Sequence, residues 1–198
     1  MNPAVTGARP RDAAQSVTNN ITVIQKEIAA TLAGVDTQEL AKLAALVEGA
    51  DRVFVSGAGR SGLVLRMAAM RLMHLGLTVH VAGATTTPAI AVGDLLLVAS
   101  GSGTTSGIVK SAETASAVGA QVAAITTNPD SPLAKLADAV VVVPAAQKTD
   151  HGSSVTKQYS GSLFEQALFL ATESVFQTLW ETTDEPADKL WLRHANLE

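Results

Sequence analysis

Two stretches of this chain combine glycine with hydroxyl side chains in a way that can hold an anion. The first is Ser56-Gly57-Ala58-Gly59-Arg60-Ser61-Gly62 and the second is Ser100-Gly101-Ser102-Gly103-Thr104-Thr105-Ser106. Each follows a short apolar run and precedes a helical pattern. Glycine lets the backbone turn sharply, so that amide N–H groups point inward. The helix that follows adds its free N–H groups and the positive end of its dipole. Serine and threonine hydroxyls supply further donors. Such a cradle binds phosphate through neutral groups and needs no basic protein. A single loop of this kind is an ordinary strand-to-helix turn, because Gly and Ser are common there. Two of one design in one chain point to a ligand.

Gly57, Gly59 and Gly62 also satisfy G-x-G-x-x-G, which invites a dinucleotide reading. That fingerprint wants an acidic side chain at the end of the second strand to hold a ribose. Here the strand ends His80-Val81-Ala82-Gly83-Ala84-Thr85, with no carboxylate. A nicotinamide cofactor is therefore not expected. The four histidines, His74, His80, His151 and His194, match no H-x-x-x-H spacing, and cysteine is absent. No metal is expected either. His74 and His80 flank a helix end and a strand, the usual setting of a packed or capping histidine, and His151 falls in a polar loop. Arg60 sits inside the first cradle, where it binds phosphate or a substrate hydroxyl, or else forms a surface ion pair. Thr85, Thr86 and Thr87 line a sugar chain or make a plain turn before Pro88.

The elements that position these loops can be read from periodicity. Val17, Ile21, Ile24, Ile28 and Leu32 recur at three- and four-residue steps, predicting a helix over Arg11–Gly34 with one apolar face. A second helix is predicted over Thr37–Glu48, with Asp36 as N-cap and Leu40, Leu43, Leu46 and Val47 facing inward. Beyond this helical preface, β-rich runs at Arg52–Ser56, Thr78–Ala82, Leu95–Ser100, Gln121–Thr126 and Ala139–Val143 alternate with helical stretches. The latter lie near Ser61–Leu75, Thr105–Val118 and Pro132–Ala137. Alternation of this kind predicts a doubly wound α/β domain on a five-stranded parallel sheet. The runs are continuously apolar, as strands covered on both faces must be. A polar stretch, Gln147 to Gly161, precedes a last strong helix over Ser162–Trp180, and the tail from Pro186 adds a short one. One domain is expected: a preface over about 11–48, an α/β core over about 50–182 and a tail over about 186–198.

Composition narrows the function. The chain has 198 residues, 47% of them hydrophobic and 16% charged, with a net charge of −4. That balance argues against a nucleic-acid partner, which wants a basic face. The longest apolar runs are too short to span a bilayer, and Met1 to Gln15 has no signal-peptide core. Absence of cysteine favours a reducing compartment, so a cytoplasmic protein is expected. The excess of apolar side chains points to burial between subunits.

With these residues assembled, the chain resembles the sugar isomerase (SIS) domain family, and within it the hexulose-phosphate isomerases of the ribulose monophosphate pathway of formaldehyde fixation. The resemblance runs over nearly the whole chain. It rests on the two cradles, Met70–Gly76, Thr85-Thr86-Thr87-Pro88-Ala89-Ile90, Thr127–Ala134, Gly161-Ser162-Leu163-Phe164-Glu165 and the ending Arg193–Glu198. It implies a homo-oligomer, dimer or tetramer, with a sugar-phosphate substrate, no cofactor, and functional coupling to a hexulose-6-phosphate synthase. It makes Ser61, Ser100, Ser102 and Thr105 phosphate ligands; Gly59 and Arg60 of the first cradle and Thr87 join them as binding candidates on their own chemistry. Glu165 becomes the base, active sites lie near subunit contacts, and His194, in the family-like tail, is expected to reach a neighbouring subunit's site and assist there. One position departs from the family pattern: Thr104 stands where the second loop often carries Glu, so no carboxylate can act there.

The implied reaction converts D-arabino-hex-3-ulose 6-phosphate to D-fructose 6-phosphate through an enediol. Glu165 suits the role of base because it falls in the first turn of an apolar helix, a setting expected to raise a carboxylate's basicity. An N-terminal Glu that merely complements its helix dipole is the plainer account. Rival substrates within the family are arabinose 5-phosphate and sedoheptulose 7-phosphate. A non-catalytic sugar-phosphate sensor would also keep the cradles, but such proteins usually add a basic DNA-binding module, for which the preface is too short.

Overall fold

The computed structural model describes residues 10–146, 156–159 and 161–197. Two helices come first, α1 (Pro10–Ala33) and α2 (Thr37–Gly49), and the Asp36 side chain accepts from the Gln38 amide to cap α2 at 2.8 Å. Five strands follow: β1 (Val53–Gly57), β2 (Val79–Val81), β3 (Leu95–Ala99), β4 (Gln121–Thr126) and β5 (Ala139–Val142). Between and after them lie α3 (Gly59–His74), α4 (Ser106–Ala117), α5 (Pro132–Leu136), α6 (Ser162–Thr183) and α7 (Ala187–Trp191). All pairings are parallel and the order is β2-β1-β3-β4-β5.

Side chains alternate along the strands and build two cores, one on each face. Val53, Val55, Leu95, Leu97, Ala123, Ile125 and Val141 face α2, α3 and α6, meeting Leu43, Val47, Leu65, Leu72, Phe164 and Leu168. Phe54, Leu96, Val98, Val122 and Ala124 face α4 and α5, meeting Ile108, Ala112, Ala115 and Leu133. Burying a side chain such as Leu65 contributes about 1.5–3 kcal/mol. Small residues on α4, Ala112 and Ala115, let that helix lie close to the sheet.

Order and register place the cradles. The chain adds β2 on one side of β1, then crosses to add β3 on the other, so the carboxyl ends of β1 and β3 form the switch point where such sheets bind ligands. Gly57 pairs with Ala99. The two glycine–hydroxyl loops therefore leave the sheet at the same height on neighbouring strands, about 4.8 Å apart. The connection from β2 to β3 has no helix among the described residues. It is tied down at the opposite end of the sheet, where buried Asp94 accepts from Arg52 Nε at 2.8 Å, from Arg52 Nη2 at 2.5 Å and from the Ala91 amide at 2.7 Å.

Candidate functional site

Three helices begin at the wall of one cleft of about 530 Å³, and none of the three carries a side-chain cap. They are α3, entering at Gly59 and Ser61, α4 at Thr105, and α6 at Gly161 and Phe164. By contrast, α2 and α5 are capped by Asp36 and Ser131. The first four N–H groups of a helix have no intrahelical acceptor. Three such ends converging on one cleft favour an anion there, each adding the positive pole of its dipole.

The loops are held in shape from behind. Backbone packs on backbone at Gly57 and Gly62: a Cβ on Gly62 would lie within van der Waals overlap of the Gly57 carbonyl oxygen. In the second loop, Gly103 has φ +65°, and a Cβ there would collide with Ser131. The Gly101 carbonyl accepts from the Thr126 hydroxyl at 3.1 Å and from the Thr127 hydroxyl at 2.7 Å, and the Leu133 amide donates to the Gly103 carbonyl at 3.1 Å. Within the loop, Ser100 Oγ and Thr105 Oγ1 lie 2.9 Å apart, and the Gly103 amide donates to Ser100 Oγ. Ser102 Oγ accepts from the amide and hydroxyl of Thr104. Ser61 is buried, while Ser102 and Thr105 are partly accessible at the cleft.

Four of the residues expected to bind phosphate, Ser61, Ser100, Ser102 and Thr105, thus line one cavity with Gly59 and Thr104. Glu165 sits one residue past the cleft-lining Phe164, its side chain 5% exposed. The Arg60 side chain, 65% exposed, reaches its carboxylate through Nε at 2.5 Å. Arg60 therefore links the first cradle to the candidate base.

The fold draws other expected residues away from the cleft. Thr87 donates its hydroxyl to the Val81 carbonyl at 2.6 Å and lines a separate cavity of about 330 Å³ with Phe54 and Leu96. His194 stacks on His74 at 3.9 Å, with Trp191 at 4.5 Å. His74 ends α3, whose other end carries Gly59; fifteen residue steps make that about 22 Å along the helix. Within a single chain, His194 is therefore far from the cradles. It is held there by Arg193, which donates to the His74 carbonyl at 2.9 Å and pairs with Glu185 at 2.8 Å. Burial, with His194 and Arg71 nearby, depresses the pKa of His74 and favours its neutral form. His80 packs near Phe54, with ring centres 5.1 Å apart. His151 lies outside the described residues.

Sequence reasoning gave no role of its own to Asn128, which lines the cleft, nor to Thr126 and Thr127, which hold the second loop. The signal was available: all three follow or end β4, at the same edge of the sheet as both cradles. Among the described residues no group of three or more His, Cys, Asp or Glu side chains is placed to hold a metal ion. No helix among them is long and apolar enough to cross a membrane.

Comparison with known proteins agrees with this geometry. Residues 46–170 match the SIS domain family. A 3-hexulose-6-phosphate isomerase from Mycobacterium gastri is 69% identical over 182 residues, 92% of each chain. One from Bacillus subtilis (strain 168) is 38% identical over 91% of this chain and 98% of its own. A crystal structure from Methanococcus jannaschii, from which a molecular function of 3-hexulose-6-phosphate isomerase was inferred, superimposes with a TM-score of 0.78. It is 26% identical, covering 91% of this chain and 99% of the other. With cradles, switch point and sequence in agreement, the chain belongs to the SIS domain family, in the branch that holds the 3-hexulose-6-phosphate isomerases.

Proposed function

We propose that this protein interconverts D-arabino-hex-3-ulose 6-phosphate and D-fructose 6-phosphate. The observation that carries the reading is the 69% identity to the Mycobacterium gastri isomerase across 92% of both chains. The cleft supplies compatible chemistry, with hydroxyl and amide donors beside a buried carboxylate.

In this reading the phosphate sits among Ser61, Ser100, Ser102, Thr105 and the amides at Gly59. The sugar chain extends toward Glu165. The carboxylate removes the proton from C2 while the C3 carbonyl oxygen takes up a proton, which gives the enediol. The same carboxylate then returns its proton to C3 as the C2 hydroxyl gives up its own and the carbonyl re-forms at C2, so no proton is gained or lost overall. A positioned base contributes about 10²–10⁴-fold. Arg60 orients the carboxylate and meets a substrate oxygen. In a 3-ketose phosphorylated at O6, the O5 hydroxyl can close only a four-membered ring. The substrate is therefore open-chain, and the forward reaction needs no ring-opening acid. His194 assists at an enediol oxygen from a neighbouring subunit of a dimer or tetramer, because its own chain holds it at the far end of α3. The protein works in the cytoplasm, functionally coupled to a hexulose-6-phosphate synthase that supplies its substrate.

The test is Glu165→Gln. The amide is nearly isosteric but accepts no proton from carbon, so turnover falls by about 10²-fold or more while stabilisation by fructose 6-phosphate persists. Wild type in D₂O incorporates deuterium at C3 of fructose 6-phosphate. Near-normal turnover by the variant removes Glu165 as base and transfers attention to His194. Tight binding by wild type with neither isomerisation nor exchange favours a sugar-phosphate sensor. Faster turnover of arabinose 5-phosphate or sedoheptulose 7-phosphate reassigns the substrate.

A further inference from the structure

A carboxylate on the first helix gathers the segment that leads into α6. Glu27 of α1 accepts from the Thr156 hydroxyl at 2.6 Å, the Lys157 amide at 2.8 Å and the Gln158 side-chain amide at 3.0 Å. The donors lie 129 to 131 positions away in sequence. Gln158 passes the connection on. Its Nε2 faces the carboxylate, so its Oε1 is left to accept, and it does so from Gln166 Nε2 at 2.8 Å. Gln166 is the residue beside Glu165. The Thr156 hydroxyl also accepts from the Gln158 amide at 3.0 Å, and the Ser162 amide donates to the Tyr159 carbonyl at 3.1 Å as α6 begins. Burial works against the Glu27 carboxylate, but the hydrogen bonds from Thr156, Lys157 and Gln158 outweigh it and hold the pKa below the usual glutamate range.

We infer that Glu27 is a positioning residue, whose relay through Gln158 to Gln166 sets the start of α6 and hence the orientation of Glu165. The helix start needs such a device. Gly161, the residue before α6, offers no side-chain cap, and its place at the cleft wall keeps that helix end open to ligand. The mouth of the helix is instead fixed from outside, through α1. This inference rests on the reading of Glu165 as base.

The experiment compares wild type, Glu27→Ala, Glu27→Gln and Gln158→Ala in the full-length chain. It measures kcat and KM for the hexulose 6-phosphate, the fructose 6-phosphate-dependent shift in melting temperature, and hydrogen exchange of peptides spanning 156–166. Glu27→Ala is expected to lower kcat by about tenfold or more, since small misplacements of a reacting group carry large rate losses. KM rises by less than kcat falls, because the loops after β1 and β3 that supply the hydroxyl donors are untouched and only the α6 end of the cleft shifts. Glu27→Gln, which keeps one acceptor oxygen, falls between the two. Exchange rises over 156–166 and not over 95–106. Gln158→Ala breaks the relay while leaving the Thr156 and Lys157 contacts, and it decides the matter if Glu27→Ala does not fold. A lowered melting temperature with kcat unchanged in Gln158→Ala and Glu27→Gln overturns the inference and leaves Glu27 a purely structural group. If wild type itself lacks isomerase activity, the proposed function fails, and the exchange measurement alone judges the relay: unchanged exchange over 156–166 overturns it.

Discussion

Replacing Gly62 by alanine tests whether the first cradle depends on backbone-to-backbone contact. The added Cβ would lie 2.8 Å from the Gly57 carbonyl carbon and closer still to its oxygen. Ordinary carbon–oxygen contacts lie at about 3.3–3.6 Å, so roughly 1 Å of movement is required. Gly57 cannot easily provide it, because it is paired to Ala99 in the sheet. The movement falls on the first turn of α3, which carries Ser61. Overpacking costs about 1–3 kcal/mol, and a clash between two backbones belongs at the upper end. For a chain of this size, about 3 kcal/mol lowers the melting temperature by roughly 6–12 °C. Displacing Ser61 also weakens the stabilisation given by fructose 6-phosphate. Gly49→Ala is the matched control, because nothing lies within 4 Å of the added carbon at that last position of α2. It should leave the melting temperature unchanged or raise it, by up to about 1 kcal/mol of helix propensity. Scanning fluorimetry with and without fructose 6-phosphate measures both effects. A Gly62→Ala protein that melts like wild type and keeps its full ligand shift would refute the close-approach argument.

Other outcomes follow from single contacts. Ser61→Ala and Ser102→Ala should each reduce the stabilisation by phosphate or fructose 6-phosphate, consistent with loss of a charge-assisted hydrogen bond of about 1.5–3 kcal/mol; equal thermal shifts in all three proteins would remove the cradle, and NAD should produce no shift. Asp94→Asn should destabilise by about 3 kcal/mol in urea titrations, because it breaks a buried pair. Hydrogen bonding to Arg52 holds the Asp94 carboxyl below its ordinary range despite burial. Its contribution is therefore complete above the unfolded value and fades as pH falls through the folded one, so the variant should show a flatter loss of stability below about pH 4. On α1, Val17 is 57% and Ile21 51% exposed, so Val17→Lys with Ile21→Lys should lower the mass seen by light scattering. A wild-type monomer at micromolar concentration would contradict that expectation.

Much of the architecture was legible without coordinates, because period and burial are local. Leu95–Ala99 reads as a strand covered on both faces because it is apolar at every position, and it is buried at every position. The α1 pattern of Val17, Ile21, Ile24, Ile28 and Leu32 falls within Pro10–Ala33, and Asp36 caps α2 as its side chain predicts. The strand ends were legible for the same reason: apolar runs stop where glycine and hydroxyls start. The expected bounds of most elements differ by only one to three residues from those observed, as fraying helix ends and differing criteria allow.

Sequence by itself determined the kind of fold, the two cradles and the presence of a carboxylate near the start of the last long helix. Tertiary structure decided which groups meet. Neither loop reveals that Gly57 and Ala99 lie side by side; that follows from the crossover that makes β1 and β3 neighbours. Arg60 and Glu165 become partners because α3 and α6 share one face of the sheet, and no local pattern encodes that choice. The same holds for Glu27 with Gln158, for Thr127 with Gly101, and for His194, which stacks on His74 within its own chain. Periodicity states which face of an element is apolar. Only the order and register of the elements state what that face, or a polar group at its edge, will touch.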